Sequence, residues 1–212
     1  MDSLDFIYKR HSVRKFRETD VPRGDIEKII NAAVQAPSGK NRQNWHFIAV
    51  KNREVIDQMA EAIEVKGKQM VEGLENEEVK EQFLKYLPFY GFFTRAPVTV
   101  LVFAGPYETT GVNILKEKNA PKEEIEELER AQPGIQNVAA AMENLLLAAA
   151  NLGYGTCWMT GPNFAAREIQ EVVGFKKEGY FLAAMTPLGV PVESELWSPD
   201  RKPLEEVFDY IE

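Results

Sequence analysis

Cysteine, histidine and long apolar runs are what this sequence has least of. A single cysteine, Cys157, among 212 residues excludes an internal disulfide. One thiol and the two histidines, His11 and His46, are too few for an ordinary structural zinc site, so no metal is expected. No apolar run approaches the about 20 residues that span a bilayer, and no membrane segment is expected. Met1 to Arg10 lacks the pattern of a secretory signal. With the scarcity of cysteine, this makes a cytoplasmic protein the expectation. Cations are also in deficit: 25 Lys and Arg against 33 Asp and Glu leave a net charge of −8. A nucleic-acid surface needs clustered Lys and Arg, so none is expected, although one positive pocket for a single anion remains compatible with this balance. A GxSxG elbow, a P-loop and a GxGxxG turn after a strand are all missing. What is present is ordinary for a globular chain, 44% hydrophobic and 27% charged. The length is sufficient for one domain, 1–212, with a core that needs no staples.

The pattern along the chain alternates helices with strands. A helix is expected from Ser3 to Arg10, capped by Ser3, and a second after Pro22, with Ile26, Ile29, Ile30, Ala33 and Val34 at helical spacing. Pro37 to Asn44 reads as a polar loop and Trp45 to Val50 as a strand. Residues 54–87 look helical, with Gly67 and Gly73 as candidate breaks. Val98 to Phe103 reads as a buried strand and Pro121 to Arg130 as a polar helix. The helix Gly134 to Asn151 is apolar nearly all round and therefore buried nearly all round. We read it as packed on its own sheet on one side and on a second subunit on the other; the alternative is a central helix in a monomer. A strand at Tyr154 to Met159, a helix at Ala165 to Val172, a strand at Tyr180 to Pro187 and a proline-rich tail complete the chain. Helices placed mainly before a sheet that is completed late favour α+β.

Few residues offer catalytic chemistry. His46, between Trp45 and Phe47, reads as structural, and His11 lies among cations that disfavour a base. Cys157, inside the expected strand, reads as a small buried hydrophobe. The remaining candidates read anions and amides. Arg10, Ser12 and Arg14 alternate, so in extended chain they point to one side. Two guanidiniums and a hydroxyl suit a phosphate or an anionic ring edge; a solvated basic run is the alternative. Pro37 to Asn44 offers amides in a tight loop, and Gly153 to Gly161 lets backbone approach a flat ligand.

Four segments together carry a resemblance: Arg10-His11-Ser12-Val13-Arg14-Lys15-Phe16, the Ala36-Pro37-Ser38-Gly39 to Trp45 loop, Gly153 to Gly161, and Arg201-Lys202-Pro203-Leu204-Glu205-Glu206-Val207. In order and spacing the chain resembles the FMN-dependent nitroreductase family over nearly its whole length. The resemblance implies an α+β fold with a central, mostly antiparallel sheet flanked by helices, in an intertwined homodimer. It implies two FMN sites at the subunit interface, with the segment from about 188 to 212 as an arm reaching the partner. By carry-over, Arg10, Ser12 and Arg14 contact the phosphate and the pyrimidine edge of the flavin, with His11 beside them. Arg201, and more weakly Lys202, reach the phosphate. Pro37, Ser38, Gly39 and Asn41 come from the other subunit. Trp158, Met159, Thr160 and Gly161 pass beside the ring, where a backbone amide at Thr160 or Gly161 can donate to N5. No side-chain acid or base is implied. Two departures stand out: Thr160 occupies a position where many members carry glutamate, and Pro199 one where a second basic residue is usual.

The implied activity is ping-pong transfer from NAD(P)H through FMN to a small-molecule acceptor such as a nitroaromatic or quinone. Reductive dehalogenation, flavin reduction, or a flavin sensor or store without rapid turnover are the alternatives. Tyr86 to Arg95 and Pro106 to Gln132 match no motif. The aromatics Tyr86, Phe89, Tyr90, Phe92 and Phe93 are read either as a surface over the acceptor or as core. The second segment is read either as a mobile cover or as an outer helix.

Overall fold

The structure is a computed structural model and describes residues 4–192 and 198–212. Helices α1 (Asp5–Tyr8) and α2 (Arg23–Ala33) precede strand β1 (Trp45–Val50). Helices α3 (Arg53–Met70) and α4 (Glu77–Tyr86) follow, then a 3-10 segment (Leu87–Arg95) and β2 (Val98–Ala104). Next come α5 (Val112–Glu117), α6 (Lys122–Glu129), α7 (Pro133–Asn151), β3 (Gly155–Thr156), α8 (Ala166–Val172) and β4 (Phe181–Gly189). The four strands form one antiparallel sheet in the order β1-β2-β4-β3, as an α+β chain requires.

The sheet is covered on both faces. Strand side chains alternate, so β2 serves two cores. Val98, Val100, Val102 and Ala104 join α2 and α7. Leu101 and Phe103 join α3, the 3-10 segment and α8. This is why all seven residues of β2 are buried. In β4, Leu182 and Ala184 have the same parity yet enter opposite cores. The register shift opposite Val102 and Phe103 inserts one residue and reverses the facing.

Helix α7 contributes Val138, Ala141, Met142, Leu145, Leu146 and Ala149 to the first core, at helical spacing. Its other face, Ala139, Glu143, Leu147 and Ala150, stays half-buried. Short α1 packs on α7 and leaves Phe6, Ile7 and Tyr8 exposed. No helix among the described residues is long and apolar enough to cross a membrane.

Several expectations need correction. The Ser3 cap lies outside the described residues, and the helix it would start spans only Asp5–Tyr8. Gly67 is not a break: α3 runs through it because Leu87 packs where a Cβ would stand. Gly73, at φ +72°, does lie in the turn between α3 and α4. The strand expected at Tyr154 to Met159 shrinks to Gly155–Thr156, since the Cys157 amide donates to the Thr186 hydroxyl at 3.0 Å instead of to a strand carbonyl. Met159 recovers an isolated bridge with Met185. Helix α5 is additional.

Candidate functional site

The Arg10–Arg14 segment is fixed by its apolar member. The Val13 amide donates to the Thr156 carbonyl at 2.8 Å, making Ser12 and Thr156 a parallel bridge beside β3. Val13 and Phe16 are buried with Ala96. Gly155 permits the approach, because a Cβ there would lie 2.7 Å from Val13. With Val13 turned inward, Arg10, Ser12 and Arg14 share the opposite side, as the alternation predicts. Arg10 is half-buried, with Nε 3.7 Å from Glu143 of α7. The Arg14 guanidinium lies 5.9 Å from the centre of the Phe92 ring and donates to the Ser12 carbonyl at 3.4 Å.

Cys157 continues the chain beneath this group. It is buried, and burial pushes its thiol up, against the opposing pull of Arg14, a hydrogen bond with Ser12, and Arg10. A thiol held protonated is a packing group, not a nucleophile. Beyond it, Trp158 is 38% exposed while Met159 is buried. Met159 exchanges two 2.9 Å backbone hydrogen bonds with Met185. Thr160 and Gly161 are exposed and open a 3-10 turn, Gly161–Ala165. In it Pro162 has no N–H and the Asn163 amide donates to the Thr160 carbonyl at 3.0 Å, so the Thr160 and Gly161 amides are those left without a partner in the turn. The Tyr90 ring lies against Gly161, where an added Cβ would come within 2.6 Å of it. Two segments about 145 residues apart in sequence thus form one ridge: cations and a hydroxyl, then Trp158, then turn amides.

Other candidates fall elsewhere. His11 Nδ1 hydrogen-bonds the Ser198 hydroxyl at 2.9 Å, which ties the start of the tail to the ridge. Arg201, three residues on, donates to the Pro199 carbonyl at 3.0 Å, and Lys202 lies 3.6 Å from Glu206. Among the described residues the tail from Arg201 onward is exposed throughout. His46 stacks on Phe175 at 4.9 Å, and burial, then Lys177, lowers its pKa. Of the aromatics, Phe93 is fully buried and belongs to the second core; Tyr86 and Phe89 are exposed.

The Pro37–Asn41 loop is also separate from the ridge. Lys40, Asn41 and Gln43 adopt φ of 56°, 50° and 45°, and the loop is held on α7 by the Gly39 amide, which donates to Asn137 Oδ1 at 2.9 Å. Asn137 and the Arg10 partner Glu143 are six residues apart, about 9 Å along the helix and about 120° around it. The loop and Arg10 therefore meet α7 on different sides of its axis. Sequence reasoning missed Glu143 and Asn137. Only Asn137 carried a signal: it is the polar member of a buried stripe with Ala141, Leu145 and Ala149.

The ridge suits a flat anion: two guanidiniums and a hydroxyl for a phosphate or ring edge, an indole for a plane, and turn amides for a ring acceptor. Comparison with known proteins points the same way. A BluB-like flavoprotein of Clostridium difficile 630, known from its crystal structure, is 44% identical, superposes with a TM-score of 0.93 and matches over 100% of both chains. A protein of Methanothermobacter thermautotrophicus provisionally named NADH dehydrogenase/NAD(P)H nitroreductase is 28% identical over 97% of this chain and 87% of its own. The iodotyrosine deiodinase of Thermotoga neapolitana is 29% identical over 88% of this chain and 87% of its own. The family model described as nitroreductase matches residues 7–190, so the chain belongs to the nitroreductase family.

Proposed function

We propose that the chain is an FMN-dependent NAD(P)H oxidoreductase of the cytoplasm that acts as a homodimer. The observation that carries this reading is the ridge itself, where Arg10, Ser12 and Arg14 share a side and adjoin the Trp158–Gly161 backbone. Bound there, FMN would supply hydride chemistry, accepting hydride from NAD(P)H and passing electrons to a small acceptor such as a nitroaromatic or quinone. The chain's own part is to bind and orient. Arg10, Ser12 and Arg14 hold the phosphate and the pyrimidine edge, and their positive field favours negative charge on that edge. The turn amide at Thr160 or Gly161 donates toward the central ring nitrogen. Ser38, Gly39 and Asn41, with Pro37, complete the same site from the second subunit, and the tail from about 188 carries Arg201, with Lys202, to the phosphate. The placement of the loop and Arg10 on different sides of α7 supports the dimer, as does the apolar surface left open on α1, on α7 and at Leu204, Val207, Phe208 and Ile211.

A lone phosphate matched to three arginines selects FMN over FAD. Releasing the flavin by denaturation and separating it on a column tests this: FMN is expected, and FAD as the main species refutes it. Anaerobic bleaching by NADH or NADPH tests the electron donor. The similarity to iodotyrosine deiodinase supports a second reading, reductive dehalogenation on the same flavin. A stopped-flow screen of the reduced protein against nitroaromatics, quinones and halophenols separates the two.

A further inference from the structure

The Pro37–Asn44 loop is unusual in its backbone. Lys40, Asn41 and Gln43 all lie in the left-handed region, which residues with side chains keep only where the surroundings hold them. Within the loop the Asn41 amide donates to the Ser38 carbonyl at 2.9 Å, the Arg42 amide to the Gly39 carbonyl at 3.2 Å, and Gln43 Nε2 to Asn41 Oδ1 at 3.0 Å. The Gln43 amide donates to the Ser38 hydroxyl at 3.0 Å, and the Gly39 amide donates to Asn137 Oδ1 at 2.9 Å. Asn137 in turn donates through Nδ2 to Asn44 Oδ1 at 2.9 Å. Asn44 Nδ2 donates to the carbonyls of Gly134 at 3.0 Å and Gly105 at 3.2 Å. Both asparagines are buried, at 7% and 4% exposure, and each amide hydrogen-bonds through both its oxygen and its nitrogen. Gly39 is further confined by Tyr107, whose hydroxyl lies 2.4 Å from where a Cβ would stand.

From this geometry we infer that Asn137 is a positioning residue for the cofactor half-site on the partner-facing loop. It clamps Gly39 so that the Ser38–Asn41 amides are preformed before the flavin arrives. The inference rests on the oxidoreductase reading above and adds to it a residue with no contact to the flavin. The two asparagines differ in what they hold. Asn137 touches the loop directly, whereas Asn44 ties Asn137 to the ends of β2 and α7. A purely structural pair would lose stability and cofactor affinity together. A positioning role ties affinity to the Gly39 anchor alone.

The test is titration of the apoprotein with FMN, alongside apoprotein melting and hydrogen exchange over residues 38–43. Asn137→Leu, nearly equal in volume, removes the acceptor for Gly39 and should weaken FMN about tenfold, because the loop must then be ordered on binding. It should also speed exchange at 38–43. Asn44→Asp keeps an oxygen toward Asn137 but loses both carbonyl contacts. It should lower the melting temperature about as much as Asn137→Leu while changing FMN affinity less than about threefold. Asn137→Asp, protonated in mildly acidic buffer, offers Gly39 the same acceptor and should restore affinity. Should Asn137→Leu not fold, Asn137→Thr takes its place, its hydroxyl being too short to reach Gly39. Affinity that follows melting temperature in all variants, or is unmoved in Asn137→Leu, overturns the inference. Failure of the unaltered protein to take up FMN overturns the oxidoreductase reading itself, and this inference with it.

Discussion

Two neighbouring leucines on α7 separate folding from assembly. Leu146 is 2% exposed and sits in the first core with Val100, Val138 and Met142. Leu147 is half-buried, on the stripe with Ala139, Glu143 and Ala150. Leu146→Arg removes a core side chain, which costs about 2–5 kcal/mol, and buries an unpaired charge, which costs about 3–5 kcal/mol more. A domain stability of about 5–15 kcal/mol does not absorb that sum with any margin. The variant should be largely unfolded by circular dichroism. Leu147→Arg can lift its guanidinium into solvent in the isolated protomer, so secondary structure should persist. If this stripe is the face that the proposed dimer buries, the same charge is then trapped between subunits. At about 3 kcal/mol the dissociation constant should rise at least a hundredfold. Sedimentation velocity over a dilution series reads this directly. A Leu147→Arg protein that sediments as the unaltered one does at every concentration would show that this face is not the interface. A well-folded Leu146→Arg protein would refute the packing of α7.

Further outcomes follow from single contacts. Arg201→Ala should weaken FMN by about 1.5–3 kcal/mol, the range of a charge-assisted hydrogen bond, in a fluorescence titration; unchanged affinity would place Arg201 outside the site. Phe93→Ala should lower stability by about 3–5 kcal/mol in urea, since the ring is fully buried. Tyr90→Ala should cost less stability than Phe93→Ala, because Tyr90 is only partly buried against the second core, and should alter the acceptor half-reaction, because its ring lies against Gly161. Tyr154 donates to Asp25 at 2.7 Å, and burial, then that hydrogen bond, pushes its pKa up to about 12. A raised pKa gives stability that is complete below about pH 10 and lost as pH climbs toward 12. Tyr154→Phe should therefore flatten the alkaline limb of the melting profile; an unaltered limb would remove Tyr154 as its cause.

What the sequence made legible follows from pattern strength. Strand β1 emerged with its full bounds, because Trp45 to Val50 is an apolar run between a polar loop and Asn52. The common facing of Arg10, Ser12 and Arg14 was readable because extended chain has a period of two. Strand β3 was over-read, since no local pattern reveals that Thr186, 29 residues away, captures the Cys157 amide. Helix α5 was missed because six residues with Gly111 as N-cap carry little periodicity. The aromatic segment was ambiguous for a physical reason. Phe93 and Tyr90 lie one 3-10 turn apart on the same face and both pack on the second core, Phe93 fully buried and Tyr90 only partly, with its ring also against Gly161. The Asn44–Asn137 bond joins residues 93 apart, and only the folded chain shows it.

The central place of β2 also bears on how the chain is made. Its partner β4 ends more than eighty residues later, at Gly189. At about 5–20 residues per second, a ribosome needs about 4 to 17 seconds to supply that partner. Throughout that interval β2, seven residues with Thr99 as the one polar side chain, has only β1 beside it. The nascent β1–β2 pair then presents an unpaired apolar edge of the kind that invites aggregation. Expression yield should therefore respond more to chaperone supply and growth temperature than the stability of the finished fold would suggest.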